Sequence, residues 1–232
     1  PNVWIWALTL SNTVAYFSAY RYLLQGYLGV AVALIFSGTV SSFYHVANAT
    51  GNAFLLSPGQ WATVDFIGSF SAIVTNIVFI AHFRADQIRA HMASIVLFIL
   101  VIIPFILADG TGIYTIGATA TASLLLLGIK WGVIDRAMPA GFNVINLLVS
   151  AILVGGGLLS FFIASDYDEF EPDLYARPHT FWHFLIYLSP AIVIDLYTKN
   201  RSALFFHRVR DAEAVLELAP GATRNIPRTR KK

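Results

Sequence analysis

The chain has 232 residues, of which 57% are hydrophobic and only 12% are charged, with a formal net charge of +2. Soluble domains carry about 25% charged residues, so this composition indicates a membrane protein rather than a soluble enzyme. Cysteine is absent, which excludes disulfides, thiolate metal ligands and palmitoylation.

Several hydrophobic runs are long enough, at about 20 residues each, to cross a bilayer as a helix. They lie at residues 2–20, 26–49, 60–82, 91–108, 112–131, 142–164 and 179–198. The first run is diluted by Ser11, Asn12, Thr13 and Ser18, whose side chains should face the bundle because lipid offers them no partner. We expect an all-α membrane protein, a seven-transmembrane helix bundle that fills residues 1–200 and leaves no soluble catalytic domain.

Basic residues are distributed unevenly around these runs. They follow the first, third, fifth and seventh runs, and only Arg177 lies on the other side. The residues on the first side are Arg21, Arg84, Arg89, Lys130, Arg136, Lys199, Arg201, Arg208, Arg210, Arg224, Arg228, Arg230, Lys231 and Lys232. Because positive charge is retained in the cytosol, the N-terminus is predicted outside, or in a lumen, and the C-terminus in the cytosol. We expect a multi-pass protein of the plasma membrane or a secretory-pathway membrane. Since the sequence begins at Pro1, a signal peptide or ectodomain can precede it.

Residues 201–232 form the predicted cytosolic tail, which ends in a cluster of Lys and Arg. Apolar residues recur at near-helical spacing between Ala203 and Leu218, and the basic end would attract anionic lipid. This pattern favours an amphipathic helix at the membrane surface. The alternative is an ordinary, partly disordered flank of the last span.

Three of the six histidines lie close to the predicted outer ends of spans. Ser41 and His45 are four residues apart in the second run, and His179 and His183 are four residues apart at the start of the seventh. Residues at this spacing share one helix face. Asp65 lies near the outer end of the third run. The five side chains are therefore predicted to converge in one outer layer of the bundle.

Three imidazoles and a carboxylate suit a zinc site. An open catalytic zinc site has three protein ligands and one place for water, and the metal lowers the pKa of that water to about 7. His45, His179 and His183 would bind the metal. Asp65 would orient a ligand or accept the proton of the water, and Ser41 would hydrogen-bond the water or a developing oxyanion. The alternative is that these side chains only form hydrogen bonds within the bundle, with Ser41 in a stretch of small residues.

Three segments resemble the signature segments of the CREST superfamily of seven-span proteins. They read Ser41-Ser42-Phe43-Tyr44-His45, Val64-Asp65-Phe66-Ile67-Gly68-Ser69 and His179-Thr180-Phe181-Trp182-His183. The superfamily includes alkaline ceramidases and progestin- and adiponectin-type receptors, and the first two segments are most similar to its myomaker-like branch. The resemblance implies three zinc ligands at the histidines, a neighbouring acid at Asp65, a hydroxyl at Ser41, and hydrolysis of a lipid amide or ester.

We therefore predict a zinc-dependent intramembrane lipid hydrolase that cleaves an acyl ester or amide near the outer leaflet, with Zn2+ as the cofactor. The alternative is a myomaker-like membrane-remodelling or cell-fusion protein with a structural zinc site. An outward N-terminus counts against a receptor, and the lack of a second charged layer counts against a transporter. The expected partners are membrane lipids, as substrate or ligand, with no nucleic acid; a homodimer is compatible with these features.

Four further features carry local expectations. Pro178 directly precedes His179, and because proline suits the first turn of a helix, we expect the last span to begin there. Residues 166–173 are acidic and are expected to be a solvated loop, with a cover over the site or a cation site as alternatives. The glycines at 155–157 predict either close packing or a mobile point. Asp195 is expected to pair with Lys199.

Overall fold

The computed structural model of the protein describes residues 3–52, 54–81, 96, 112–137, 142–165 and 172–196. These residues contain the helices α1 (Val3–Ser11), α2 (Thr13–Leu23), α3 (Leu28–Thr50), α4 (Pro58–Ile80), α5 (Gly112–Leu127), α6 (Val144–Ser165) and α7 (Pro172–Val193). A π-helical segment, Gly128–Ile134, follows α5. No β-strand occurs in the stretches given above, so the expected all-α class is confirmed for them.

Three of these helices, α3, α4 and α6, are long and apolar enough to cross a membrane. They contain 23, 23 and 22 residues, which corresponds to about 33–35 Å of helix, against about 30 Å for the apolar core of a bilayer. Their bounds agree closely with the predicted second, third and sixth runs. The predicted fourth run lies outside the described residues apart from Val96, and so does the whole tail 201–232.

The first predicted run is divided into two helices at Asn12. Asn12 and Ser18 are buried, as expected of polar side chains that face the bundle. For Thr13 this expectation was wrong. Its side chain is exposed, and its hydroxyl donates to the carbonyl of Leu10 at 2.7 Å. That bond satisfies the hydroxyl within its own chain segment, so Thr13 needs no partner in the bundle.

The last helix, α7, begins at Pro172 and not at Pro178 as the sequence suggested. An upstream proline occupies the first turn, and Pro178 lies inside the helix. An internal proline lacks an N–H, so the carbonyl of Leu174, four residues earlier, loses its helical hydrogen bond. Asp173 belongs to α7, whereas the rest of the predicted acidic loop lies outside the described residues.

Neighbouring helices approach closely where glycine removes a side chain. The most extensive pairs are α3 with α4 and α6 with α7. A Cβ atom on Gly68 of α4 would lie 2.7 Å from Cγ2 of Val40 and 3.1 Å from Cα of Ser37 in α3. On Gly157 of α6, a Cβ would lie 3.4 Å from Cε3 of Trp182 in α7. Of the two readings of the glycine run, close packing is confirmed at Gly157.

A polar seam joins α2 to α7. The hydroxyl of Ser18 donates to the carbonyl of Tyr187 at 2.5 Å, and Arg21 forms an ion pair of 2.7 Å with Asp195. Arg21 also donates to the carbonyl of Ala191. The residue numbers of the partners increase together, from Ser18 with Tyr187 to Arg21 with Ala191. Helices α2 and α7 therefore run parallel. The structure thus gives Asp195 a partner on another helix, while Lys199 lies outside the described part of the chain.

Candidate metal centre

Helices α3, α4 and α7 bring the predicted site residues to one level of the bundle. His45 lies a little more than one turn before the end of α3, where Gly51 takes a left-handed φ of 64° and stops the helix. Asp65 lies about two turns into α4, whose start is fixed by the Ser57 capping box with Gln60. His179 lies one turn before His183 on α7, so both imidazoles project from one face of that helix.

The three imidazoles lie together between these helices. Their candidate ligand nitrogens all lie within 4.8 Å of one another, and the Nε2 atoms of His45 and His183 are 3.2 Å apart. The rings of His179 and His183 have centroids 4.8 Å apart. All three residues are buried, with exposed fractions of 3%, 7% and 2% for His45, His179 and His183. The predicted convergence of the histidines is therefore confirmed.

The spacing of the nitrogens fits a tetrahedral zinc ion. With zinc–nitrogen bonds of about 2.05 Å, two ligand nitrogens in a tetrahedral site lie about 3.3 Å apart, and the His45–His183 pair is already at 3.2 Å. The third imidazole would have to approach by at most about 1.5 Å. Nδ1 of His179 is buried without a hydrogen-bond partner among the described residues, which leaves this imidazole with unused coordinating capacity.

Among the described residues, the candidate ligand atoms come from the three histidines alone, and Asp65 is connected to them through Ser41. One carboxylate oxygen of Asp65, Oδ1, is buried with no hydrogen-bond partner in the described part of the chain. The Ser41 hydroxyl neighbours this carboxyl and lies 3.5 Å from Nδ1 of His183. An unpartnered buried carboxylate oxygen is available to accept a proton or a hydrogen bond from a bound molecule.

The structure adds Asn12, which was expected to face the bundle but had no predicted role in the site. Its Oδ1 lies 2.5 Å from Nδ1 of His183, and the residue is fully buried. The only signal in the sequence was a polar side chain within the first apolar run. Two aromatic rings, Tyr175 and Phe161, complete the wall around His179, with centroids 4.8 and 6.1 Å from its ring.

A cavity of about 240 Å³ reaches His45 between the ends of α1, α3 and α7. It is lined by Ile5, Leu8, His45, Asn48, Ala49, Tyr175 and Ala176. No Asp, Glu, Lys or Arg side chain is among them. The volume corresponds to about eight water molecules at about 30 Å³ each, so the cavity can bring small molecules to the side chain of His45.

Beside this cavity, the guanidinium of Arg177 on α7 lies over the ring of Trp4 on α1, 5.1 Å from the ring centroid. The next residue of α1, Ile5, and the preceding residue of α7, Ala176, both line the cavity. A cation–π contact of this kind contributes about 0.5–1 kcal/mol at exposed sites. It therefore helps to hold together the two helices on either side of the cavity.

Residues 3–184 match the family described as Protein of unknown function (DUF3522). The matched region includes every residue of the candidate centre, at Asn12, Ser41, His45, Asp65, His179 and His183. No curated protein matches the chain.

Proposed function

This chain belongs to the DUF3522 family of proteins of unknown function, and from the geometry of its site we propose that it is a zinc-dependent intramembrane lipid hydrolase. Its substrate would be a lipid with an acyl ester or amide near the outer leaflet. The observation that carries the proposal is the buried set of three imidazoles, linked through Ser41 to Asp65, whose carboxylate oxygen Oδ1 has no partner among the described residues.

The proposed topology is a seven-span bundle with the N-terminus outside and the C-terminus in the cytosol. In an up-and-down bundle with an odd number of spans, the first and last run in the same direction, and the parallel run of α2 and α7 supports this arrangement. His45 lies roughly 7.5 Å along the axis from the end of α3 at Thr50. The centre would then lie near the membrane interface, where lipid ester and amide linkages also lie.

Each side chain has a separate part in the proposed reaction. His45, His179 and His183 would hold the ion, and zinc bound there would act as a Lewis acid and lower the pKa of water to about 7. Water adds to the acyl carbon and the bond to the leaving oxygen or nitrogen breaks, which yields a fatty acid and an alcohol or amine. Asp65 accepts the proton of the attacking water and returns it to the leaving group. The Ser41 hydroxyl donates to the oxygen on which negative charge develops.

The surroundings of the centre suit a lipid substrate. The cavity between the ends of α1, α3 and α7 reaches His45 and would give water a route to that side of the centre. The outward faces of the helices are apolar, with exposed Val32, Phe36 and Phe43 along α3. Acyl chains can therefore remain among the helix surfaces while their linkage reaches the polar centre.

The resemblance to the CREST superfamily, and to its myomaker-like branch, is part of the same proposal. The three resembling segments carry His45, Asp65 and the pair His179 and His183; the three histidines lie together, and Asp65 neighbours Ser41 of the first segment. Their meeting supports the proposal because three short segments far apart in sequence would otherwise have no reason to share one site.

The experiment that tests this proposal uses purified protein in vesicles that contain labelled phospholipid, ceramide or a GPI lipid. Zinc content and fatty-acid release are measured together for the wild type and for His179→Ala. We expect release from at least one lipid class, and its loss in the variant. A zinc-loaded wild type that releases no fatty acid from any of them would overturn the hydrolase.

The second candidate is a membrane-remodelling or cell-fusion protein in which zinc is structural. The burial of the three imidazoles favours it, because an ion held by His45 on α3 and by His179 and His183 on α7 could join the two helices without contacting a substrate. A cell-mixing assay separates the two functions. Fusion that requires the histidines but proceeds with Asp65→Asn, and without fatty-acid release, would favour this candidate over hydrolysis.

A further inference from the structure

We propose that Asn12 is a positioning residue that fixes the tautomer and the orientation of His183. This inference rests on the proposed metal-binding role of His183 but not on hydrolysis. The proposed role gives a reason for the full burial of the Asn12 side-chain amide, at the point where α1 ends and α2 begins. Neither the family description nor the predicted ligand set includes Asn12.

The hydrogen bonds of Asn12 determine which way its amide points. Nδ2 donates to the carbonyls of Leu8 and Thr9, each at 3.4 Å. Carbonyl oxygens only accept hydrogen bonds, so the reversed amide would place its oxygen against two other oxygens. The amide oxygen Oδ1 must therefore be the atom that faces His183, at 2.5 Å from its Nδ1.

This orientation in turn determines the tautomer of His183. Because Oδ1 can only accept, Nδ1 of His183 must carry the hydrogen, and Nε2 of a neutral imidazole is then unprotonated. That Nε2 lies 3.2 Å from Nε2 of His45. Its lone pair is thus directed toward the second imidazole, where an ion held by both rings would lie. A metal-binding histidine commonly donates its other N–H to an oxygen in this way.

The position of Asn12 is itself held by the neighbouring helix. Its backbone carbonyl would lie 3.1 Å from a Cβ on Gly38 of α3, and Cβ of Ala15 would lie 2.8 Å from the same point. Only a residue without a side chain lets α3 come this close. The carbonyl of Asn12 also accepts from the amide of Ala15 at 3.0 Å, so the chain turns tightly at Asn12 and carries its amide toward α7.

Two side chains, Asn12 and Ser41, lie near the Nδ1 atom of His183. Ser41 lies 3.5 Å from the same Nδ1, at the outer limit of a hydrogen bond, whereas Asn12 lies at 2.5 Å. The amide is therefore the principal partner of the imidazole. The Ser41 hydroxyl stays available to the carboxyl of Asp65, which it neighbours, or to a bound substrate.

The experiment compares Asn12→Leu, which keeps the volume but removes the acceptor, with Asn12→Asp, which keeps an oxygen that can accept from Nδ1. Asn76→Leu is the matched control. Asn76 is also buried, accepts from the Tyr22 hydroxyl at 2.9 Å and donates to the carbonyl of Ala72 at 2.8 Å, but it contacts none of the three histidines. Full-length protein in detergent is titrated with zinc against a chromophoric chelator, and with cobalt for its visible spectrum.

We expect zinc affinity to fall about 10- to 100-fold in Asn12→Leu, with a changed cobalt spectrum. Asn12→Asp should lose much less, and Asn76→Leu should bind like the wild type although its thermal midpoint falls. If Asn12→Leu does not fold, Asn12→Ser, whose hydroxyl is too short to reach Nδ1, carries the same expectation.

Wild-type affinity and an unchanged spectrum in the folded Asn12 variant would overturn the role of Asn12. A wild type that binds zinc but hydrolyses no lipid overturns the hydrolase alone and leaves this inference intact. A wild type that binds neither ion overturns both.

Discussion

The Nε2 atoms of His45 and His183 lie 3.2 Å apart although 138 residues separate them in the chain. At this distance two imidazole nitrogens either share a hydrogen, with one as donor, or direct both lone pairs at one ion. The amide of Asn12 leaves Nε2 of His183 as an acceptor, so Nε2–H of His45 donates to it when no ion is bound. For both Nε2 atoms to bind a metal, His45 would instead carry its hydrogen on Nδ1, so the hydrogen-bonded pair would become two ligands through a change of tautomer at His45.

Replacement of His45, His179 or His183 by alanine should each remove zinc from the purified protein. Two remaining imidazoles form an incomplete site, because zinc sites in proteins have at least three protein ligands. Metal content per chain is measured by elemental analysis after exposure to equal free zinc. His207→Ala, in the predicted tail, is the control and should keep the wild-type content. Equal zinc in all four variants would contradict the site.

Asp65→Asn should retain zinc but lose hydrolysis, because the amide cannot accept the proton of water as a carboxylate does. General-base catalysis contributes about 10²- to 10⁴-fold, so the rate of fatty-acid release should fall by a factor in that range. Asp135→Asn serves as the control, since Asp135 pairs with Lys130 after α5 and is not part of the centre. Undiminished release by Asp65→Asn would remove the carboxylate from the reaction.

Gly68→Ala should destabilise the bundle, because the new Cβ would lie 2.7 Å from Cγ2 of Val40 and 3.1 Å from the backbone Cα of Ser37. Overpacking of this kind costs about 1–3 kcal/mol. The matched control is Gly59→Ala in the same helix, where a Cβ meets nothing within 4 Å. Thermal unfolding in detergent should show a lower midpoint for Gly68→Ala and an unchanged or higher one for Gly59→Ala. Equal midpoints would show that α3 and α4 adjust without cost.

Ala49→Trp should fill the cavity beside His45 without disturbing the ligands. Ala49 lines the cavity but is itself exposed, so the larger ring can be accommodated at the rim. We expect normal zinc content and at least a tenfold slower turnover. Val32→Trp, at an exposed position of the same helix, should leave both unchanged. Normal turnover in Ala49→Trp would mean that water and substrate reach the centre by another route.

Much of the site could be predicted because membrane helices constrain polar residues strongly. The spacing of four residues fixed a common face for His179 and His183, and the charge bias of the loops placed His45 and Asp65 at the same level. An ionisable side chain in an apolar helix needs a polar partner. The few ionisable residues at this level of the bundle were therefore expected to lie close together.

The break at Asn12 and the start of α7 could not be predicted, for two physical reasons. An asparagine in an apolar run can face the bundle with or without interrupting the helix. Whether the helix breaks at Asn12 depends on contacts with α3, where Gly38 leaves room for the backbone of Asn12. Pro172 and Pro178 both suit a first helical turn. If the helix begins at Pro172, Pro178 lies inside it and leaves the carbonyl of Leu174 without its helical hydrogen bond. Whether that start is possible depends on how the surroundings of Leu174 accommodate this carbonyl.

The long separation in sequence between the residues of the centre also bears on how the protein is made. The centre draws on Asn12 near the beginning of the sequence and on His183, which is synthesised last. At about 5–20 residues per second, the 138 residues between His45 and His183 take roughly 7 to 28 seconds to synthesise. Throughout that interval His45 and Asp65 are already in the nascent chain without their partner imidazoles. With the proposed metal site, loading would follow the synthesis of α7, and a ribosome that stalls before Pro172 would leave a product without His179 and His183.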